Sequence, residues 1–433
     1  MKGKKVLAID GGIPAKTTPN LLMAPGAMEA GEDEKRAVCE VIENRWFSRY
    51  YGPENYPSRV RLLEEEFAEK MGIKYALGVN SCTSALLCSL VAVGVGPGDE
   101  VIVPAYTFFA SCSAIVSAKA IPVIAEIDDS LTLDPDDFKS KITPRAKAVI
   151  PVHMRGAPCD MEPIMKIAKD NNLYVIEDVA QACGGSYRGK FLGTFGDCNS
   201  FSFQFRKILS VGEGGMVTTD DEQLYDRAQM CHDTALCWRP GGMRGRFIPS
   251  RYEGELFPGY NFRMPELIGA ALRVQLKRMD GMVERMRQFK KRIMNAISDV
   301  KGLKFRRLND QVGDTAIALF MYLPDENITN RFAKALVAEG VAASSVYSKG
   351  IPDWHIARYW EMIINKWTAT SEGCPYTCPY YKNPNMEYSA EEICPKTLKL
   401  LRTAIQIDIP PQMTLDDCDM IAEGVRKVAA AYL

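Results

Sequence analysis

Between residues 75 and 220 the chain alternates short apolar runs with stretches of helical spacing, and no other feature constrains its fold as strongly. The runs are YALGVNS (75–81), EVIVPAYT (100–107), IPVIAEID (121–128), AKAVIPVHM (146–154), LYVIEDVA (173–180), SFSFQF (200–205) and GGMVTTD (214–220). They are rich in Val, Ile and Ala, as strands buried on both faces are. The intervening segments, such as SALLCSLVAVG and MEPIMKIAKDN, carry helical spacing, and the Asp-Pro-Asp-Asp sequence at 134–137 offers a helix start. The rhythm predicts an α/β fold with a seven-stranded, mostly parallel sheet and helices on both faces. Ligands of such sheets gather beyond the carboxyl ends of the strands.

A Gly- and Pro-rich arm (Gly11 to Pro25) and helical patterns from Glu32 and from Val60 to Met71 precede this region. From Met264 to about Ile297 a long amphipathic pattern leads into a smaller α+β domain. The expected division is 1–285 for the arm and large domain and 286–433 for the small one. In the latter, AIALFMYLP alternates as an antiparallel strand of a half-exposed sheet does, and residues 368–389 read as a long, turn-rich loop.

Composition narrows the partners. Fifty-three Lys and Arg against 54 Asp and Glu give a net charge of −1, with no basic stripe to attract nucleic acid or an anionic membrane. The apolar runs fall short of the ~20 residues that span a bilayer, and MKGKKVLAIDGG lacks a signal-peptide core. A cytoplasmic protein acting on small molecules is expected. Thirteen scattered cysteines read as reduced, mostly buried thiols, and three histidines argue against a His-based metal centre.

Three segments carry chemistry. SFQFRK (202–207) places Lys207 past a buried strand, beside the glycine-rich return GEGG (212–215). Desolvation there favours the neutral amine that a Schiff-base lysine needs, although an ordinary surface lysine is the alternative. In VIEDVAQACGG an acidic pair ends an apolar strand; Asp178 is placed either to hold a pyridine nitrogen protonated or to cap a helix. NSCTSAL (80–86) opens a helix with small hydroxyl residues, suited to a phosphate but equally to a plain cap.

Taken together, LAIDGG, YYGP, EEEFAEKMG, NSCTSAL, GVGPGDEVIVPAYTFFAS, ITPRAKAVIPVHMRG, IEDVAQACGGSYRGK, FSFQFRKILSVGEGGM and GYNFRMPELIGA occur in an order that resembles the DegT/StrS sugar aminotransferases. These are enzymes of fold type I that depend on pyridoxal 5′-phosphate (PLP). The resemblance implies Lys207 as the internal aldimine, Asp178 on the pyridine nitrogen, Gln181 near the ring hydroxyl and Phe108 on the ring face. Thr83, Ser84 and Ser202 would hold the phosphate, and Asn261 would reach the phosphate of the neighbouring subunit in a homodimer. The alternatives are a core position for Phe108 and a left-handed turn residue at Asn261. Two positions depart from the family pattern: Arg206 and Cys82 stand where small residues or Gly are common.

The reaction so implied is a ping-pong transfer of an amino group from L-glutamate or L-glutamine to a keto-sugar, sugar-acid or cyclitol, with Lys207 as the proton carrier. WHIARYW and ICPKTLKLLRTAIQIDIPP loosely resemble the 8-amino-octulosonate transaminases, and LAIDGG and VHMRG the scyllo-inosose aminotransferases. Trp354, His355 and the aromatic stretch Arg49 to Tyr51 are candidates for the substrate side. Rival readings are a PLP-dependent sugar dehydratase, a cysteine desulfurase using Cys374 or Cys378, and a non-catalytic regulatory protein. A metal site at Cys374, Cys378 and Cys394 lacks an obvious fourth ligand.

Overall fold

The computed structural model describes residues 6–50, 56–237, 256–381, 387–389 and 393–433. Its main sheet contains β1 (Tyr75–Val79), β2 (Glu100–Pro104), β3 (Ile121–Ala125), β4 (Ala146–Val149), β5 (Tyr174–Asp178), β8 (Cys198–Ser202) and β9 (Gly215–Thr219), in the order β1-β9-β8-β5-β4-β2-β3. Between β5 and β8 lies a hairpin, β6 (Ser186–Tyr187) and β7 (Lys190–Phe191). β9 alone runs antiparallel to its neighbours. All seven expected runs are strands, and both faces of the sheet are covered. Val101 and Val103 of β2 enter one apolar cluster with the helices Cys82–Ala92 and Ala110–Ser117, while Ile102 enters the other with Arg59–Met71 and Glu266–Ile297. Burial on both sides is why these runs are continuously apolar.

Local chemistry starts the helices where expected. Asp134 accepts from the Asp136 amide at 2.9 Å ahead of the helix Pro135–Ser140, and Ser58 accepts from Arg61 at 3.1 Å ahead of Arg59–Met71. The amphipathic pattern from Met264 becomes one 32-residue helix, Glu266–Ile297. The hairpin β6–β7 turns at Arg188 and Gly189, both at positive φ, a two-residue turn that the strand pattern alone did not show.

The second sheet is antiparallel throughout: β10 (Lys304–Phe305), β11 (Ala318–Tyr322), β13 (Ala404–Asp408) and β12 (Ala343–Ser345), in that order. β11 corrects one expectation, because it is not half-exposed. Leu319 and Met321 enter the cluster that holds Ile102, while Ala318 and Phe320 enter the one that holds Val101 and Val103. The alternation therefore separates two cores, not core from water. The loop 368–381 contains no helix or strand, and Tyr381 anchors it to Glu100 with a 3.1 Å hydrogen bond. All thirteen cysteines are free, nine of them buried. No helix among the described residues is long and apolar enough to cross a membrane.

Phe320 is 1% exposed at the junction of the two sheets. Replacing it with Ala should lower stability by about 3–5 kcal/mol, the usual range for a buried Phe, read as a fall in the urea midpoint.

Candidate active site

Lys207 lies in the connection between β8 and β9. Ladder-like bonds extend into this loop, from Phe203 N–H to Gly214 O and from Phe205 N–H to Gly212 O, both 2.9 Å. The loop is then clamped from behind. The Lys207 carbonyl accepts from Gly26 N–H at 3.1 Å. Gln275, buried in the helix Glu266–Ile297, accepts from Ser210 N–H at 2.7 Å and donates to the carbonyls of Gly26 at 3.0 Å and Ser210 at 2.7 Å. A Cβ on Gly26 would lie 2.5 Å from the Ser210 nitrogen, so a larger residue could not close this contact. Burial pushes the Lys207 amine below its ordinary value of 10.5, with Asp178 pulling it back up and Arg155 pushing it further down.

Asp178 ends β5 and is buried. Its Oδ2 accepts from Ser111 Oγ at 2.7 Å and its Oδ1 from Ala180 N–H at 3.0 Å. No helix follows, so the capping alternative falls: the carboxylate closes a local turn and keeps acceptor capacity for another donor. Burial raises its pKa, opposed by Ser111, Ala180 and the charge of Lys207. Glu177, the other acid of the pair, faces away into a structural role. It accepts from the amides of Gly193, Phe195 and Gly196 at 2.6–2.9 Å and from His153 Nε2 at 2.9 Å. The other ring nitrogen of His153, Nδ1, is met by Cys159 N–H at 3.0 Å, so the ring is held from both sides.

The helix Cys82–Ala92 follows β1 and begins beside Ser202 and Gly215. Its cap is Ser81, which accepts from Ser84 N–H at 3.1 Å; Ser84 Oγ donates to Asn80 Oδ1 at 2.7 Å, and Thr83 is exposed. Capping and anion binding are therefore compatible here, because the first-turn amides of Cys82 and Thr83 have no carbonyl to accept them within the helix. Ser202 is buried, and its Oγ accepts a long 3.4 Å bond from Gln204 N–H, leaving its own proton to donate. A Cβ on Gly215, paired with Ser202 across the ladder, would come within 2.4 Å of the Ser81 carbonyl oxygen. That glycine lets the phosphate-suited turn sit directly over the lysine hairpin.

Phe108 follows β2 and is 49% exposed, so it is not a core residue. Its ring meets that of His355 with centroids 5.2 Å apart. Strand-like bonds of 2.9 Å from Thr107 to His355, Phe109 to Trp354 and Ala357 to Ala105 bring residues 354–357 to this loop. His355 Nδ1–H donates to Asp353 at 2.7 Å, and burial holds its pKa below the usual 6.5. Gln181 accepts from Arg155 N–H at 3.2 Å.

Asn261 is exposed and is not among the positive-φ residues, so the left-handed reading fails; within one chain it joins no Lys207 contact. Arg49 and Tyr50 are engaged by other parts of the same chain. Arg49 is buried in an ion pair with Glu64, and Tyr50 hydrogen-bonds His232 at 3.0 Å. Tyr51 lies outside the described residues. Arg206 is exposed. Sequence reading missed Ser111, Gln275 and Gly26. Ser111 stands inside the motif YTFFAS, whereas nothing local marks the other two.

Residues 28–365 match the DegT/DnrJ/EryC1/StrS aminotransferase family. The chain belongs to that family. It is 34% identical over 402 residues to the spore coat polysaccharide biosynthesis protein SpsC of Bacillus subtilis, covering 92% of this chain and 95% of that one. It is 40% identical over 256 residues to a GDP-perosamine synthase of Escherichia coli O157:H7, 59% of this chain and 66% of the relative. Among solved structures, an aminotransferase from Psychrobacter cryohalolentis superposes with a TM-score of 0.76 at 29% identity, covering 93% of this chain and 98% of that one. The fold is that of the fold type I PLP enzymes, and the protein is a PLP-dependent aminotransferase.

The residues suit PLP. A desolvated amine, a buried carboxylate with free lone pairs, an exposed aromatic ring and unpaired helix amides meet at one end of the sheet. The neutral amine is the form that captures an aldehyde. The rate at which the PLP-free protein takes up PLP should therefore rise with pH, with a midpoint below 10.5, in stopped-flow absorbance. Gly215→Ala should weaken PLP binding by about 10-fold or more, since the anion turn must shift, as measured by fluorescence titration.

Proposed function

We propose that the protein transfers an amino group from L-glutamate or L-glutamine to a keto-sugar, sugar-acid or cyclitol, in two half-reactions at one site. The observation that carries this reading is the placement of Lys207 in the loop just past β8 and of the buried Asp178 at the end of the adjoining strand β5, with the ring of Phe108 exposed. Bound PLP supplies an electron sink for breaking a bond at the donor α-carbon. Asp178 would hold the ring nitrogen, Gln181 the ring hydroxyl and Phe108 the ring face; Thr83, Ser84 and Ser202 would hold the phosphate. Lys207 would hold PLP, and its Nζ, whose pKa burial lowers, would take and return the α-proton.

A homodimer with shared sites belongs to the same reading, as does a division into an arm and large domain at 1–285 and a small domain at 286–433. Phe47, Phe205 and Tyr260 are exposed in the single chain and are aromatic surface that a second copy would cover. Asn261, exposed near the turn at Asn80, would then reach the partner's phosphate; Asn80 N–H donates to Phe262 O at 2.8 Å. The names of the relatives, a polysaccharide biosynthesis protein and a perosamine synthase, support a sugar acceptor.

Purified protein should show a visible PLP band that L-glutamate or L-glutamine bleaches and that a keto acid restores. Lys207→Ala should hold no PLP trappable by borohydride. A wild-type band indifferent to both amino acids would overturn the donor assignment. Light scattering should give twice the chain mass.

A further inference from the structure

The motif VHMRG (152–156) runs beside the two residues read as holding the cofactor ring. Asp178 N–H donates to Pro151 O at 2.9 Å, and His153 N–H donates to Asp178 O at 3.1 Å. Two residues further on, Arg155 N–H donates to the side chain of the buried Gln181, at 3.2 Å from its Oε1. A backbone N–H can only donate, so this bond orients the amide: Oε1 faces Arg155, and Nε2 is the group left to give a hydrogen bond. Among the described residues Nε2 has no acceptor, and it is not sealed from solvent.

The turn that presents this N–H is an unfavourable one. Arg155 and Gly156 both adopt left-handed backbone, φ 53° and 84°, and a residue other than glycine keeps that conformation only where its surroundings hold it. The holders come from the chain around the second sheet. Thr315 N–H donates to Gly156 O at 3.0 Å, and Arg306 Nη2, from the residue after β10, donates to Met154 O at 2.7 Å. Arg306 is 6% exposed, lies over Phe320, and directs both of its side-chain bonds to main-chain carbonyls, the other being that of Ser130. Met154 O and Arg155 N–H belong to one peptide unit. That unit is planar and trans, so fixing its oxygen fixes the opposite direction of its N–H. A cationic donor on the oxygen also polarises the N–H into a stronger donor.

We infer that Arg306 is a positioning residue for the cofactor ring: through the 154–155 peptide it sets the Gln181 amide so that its NH2 is the group offered to the ring hydroxyl. This rests on the reading that Gln181 meets that hydroxyl, and it adds what orients the amide. The motif VHMRG thereby links the second sheet to the ring.

The test follows the visible band of the PLP-loaded protein as a function of pH in wild type, Arg306→Met, Gln181→Ala and the double variant. A donor on the ring oxygen draws off the negative charge that keeps the neighbouring Lys207–PLP linkage protonated, so losing the donor raises the midpoint of the band. Gln181→Ala should raise it by about 1 unit, Arg306→Met by roughly 0.5–1 unit, and the double variant no further than Gln181→Ala. Arg306→Lys, which can still donate to Met154 O, should recover part of the shift. Gly156→Ala displaces the same turn without touching Arg306, since its Cβ would lie 2.2 Å from Thr315 Oγ1, and it should raise the midpoint as well. It keeps the test decisive if Arg306→Met does not fold. A purely structural Arg306 would lower the thermal midpoint of the PLP-free protein and leave the band where it is; that result, or additive shifts in the double variant, overturns the inference. If Gln181→Ala itself leaves the band unmoved, the ring-hydroxyl reading falls and the inference with it.

Discussion

The site depends on keeping an amine and a carboxylate in one desolvated cleft without letting them neutralise each other by contact. Lys207 and Asp178 feel each other electrostatically, yet each is secured by other partners, the lysine through its backbone and the aspartate through Ser111 and Ala180. A direct ion pair would leave the amine protonated and the carboxylate spent. Separate anchoring leaves the amine able to lose its proton and the carboxylate able to accept another donor.

Much of the molecule serves that separation. The helix Glu266–Ile297 contributes Gln275, which ties Gly26 and Ser210 to the back of the lysine loop, so an N-terminal segment and a helix more than 200 residues away hold one turn. The arm before Gly26 is itself fastened elsewhere: Ala8 and Ala15 donate to Glu339 at 2.8 and 2.9 Å, and Thr18 donates to Asp417 at 2.6 Å. A displacement of the second sheet and its helices would therefore be felt at the lysine.

The second sheet meets the first through β11, whose two faces belong to different cores, and through residues 354–357, which pair with the loop after β2. That pairing puts the His355 ring beside Phe108. The cleft is thus built jointly by both parts of the chain. The Trp-His motif is not an internally packed pair: Trp354 packs on Phe109 with centroids 5.5 Å apart and stays 47% exposed.

The sequence alone determined the sheet, because burial on both faces forces uninterrupted apolar runs, and it determined the site's address, because parallel strands present their carboxyl ends together. Lys207, Asp178 and the helix start at 80–86 stood out as candidates because each lies just past a recognisable strand, whereas Phe108, Gln181 and Ser202 came in only through the resemblance to the family. The tertiary structure decided what surrounds them. Gln275 looks like any polar residue on an amphipathic helix, and Arg306 like any basic residue beside a strand. The alternation in β11 reads as a solvent-facing strand until a second core covers it. Periodicity and turn chemistry are local and can be read along a chain. Whether a buried polar group finds a partner depends on segments hundreds of residues apart, and no local pattern records that.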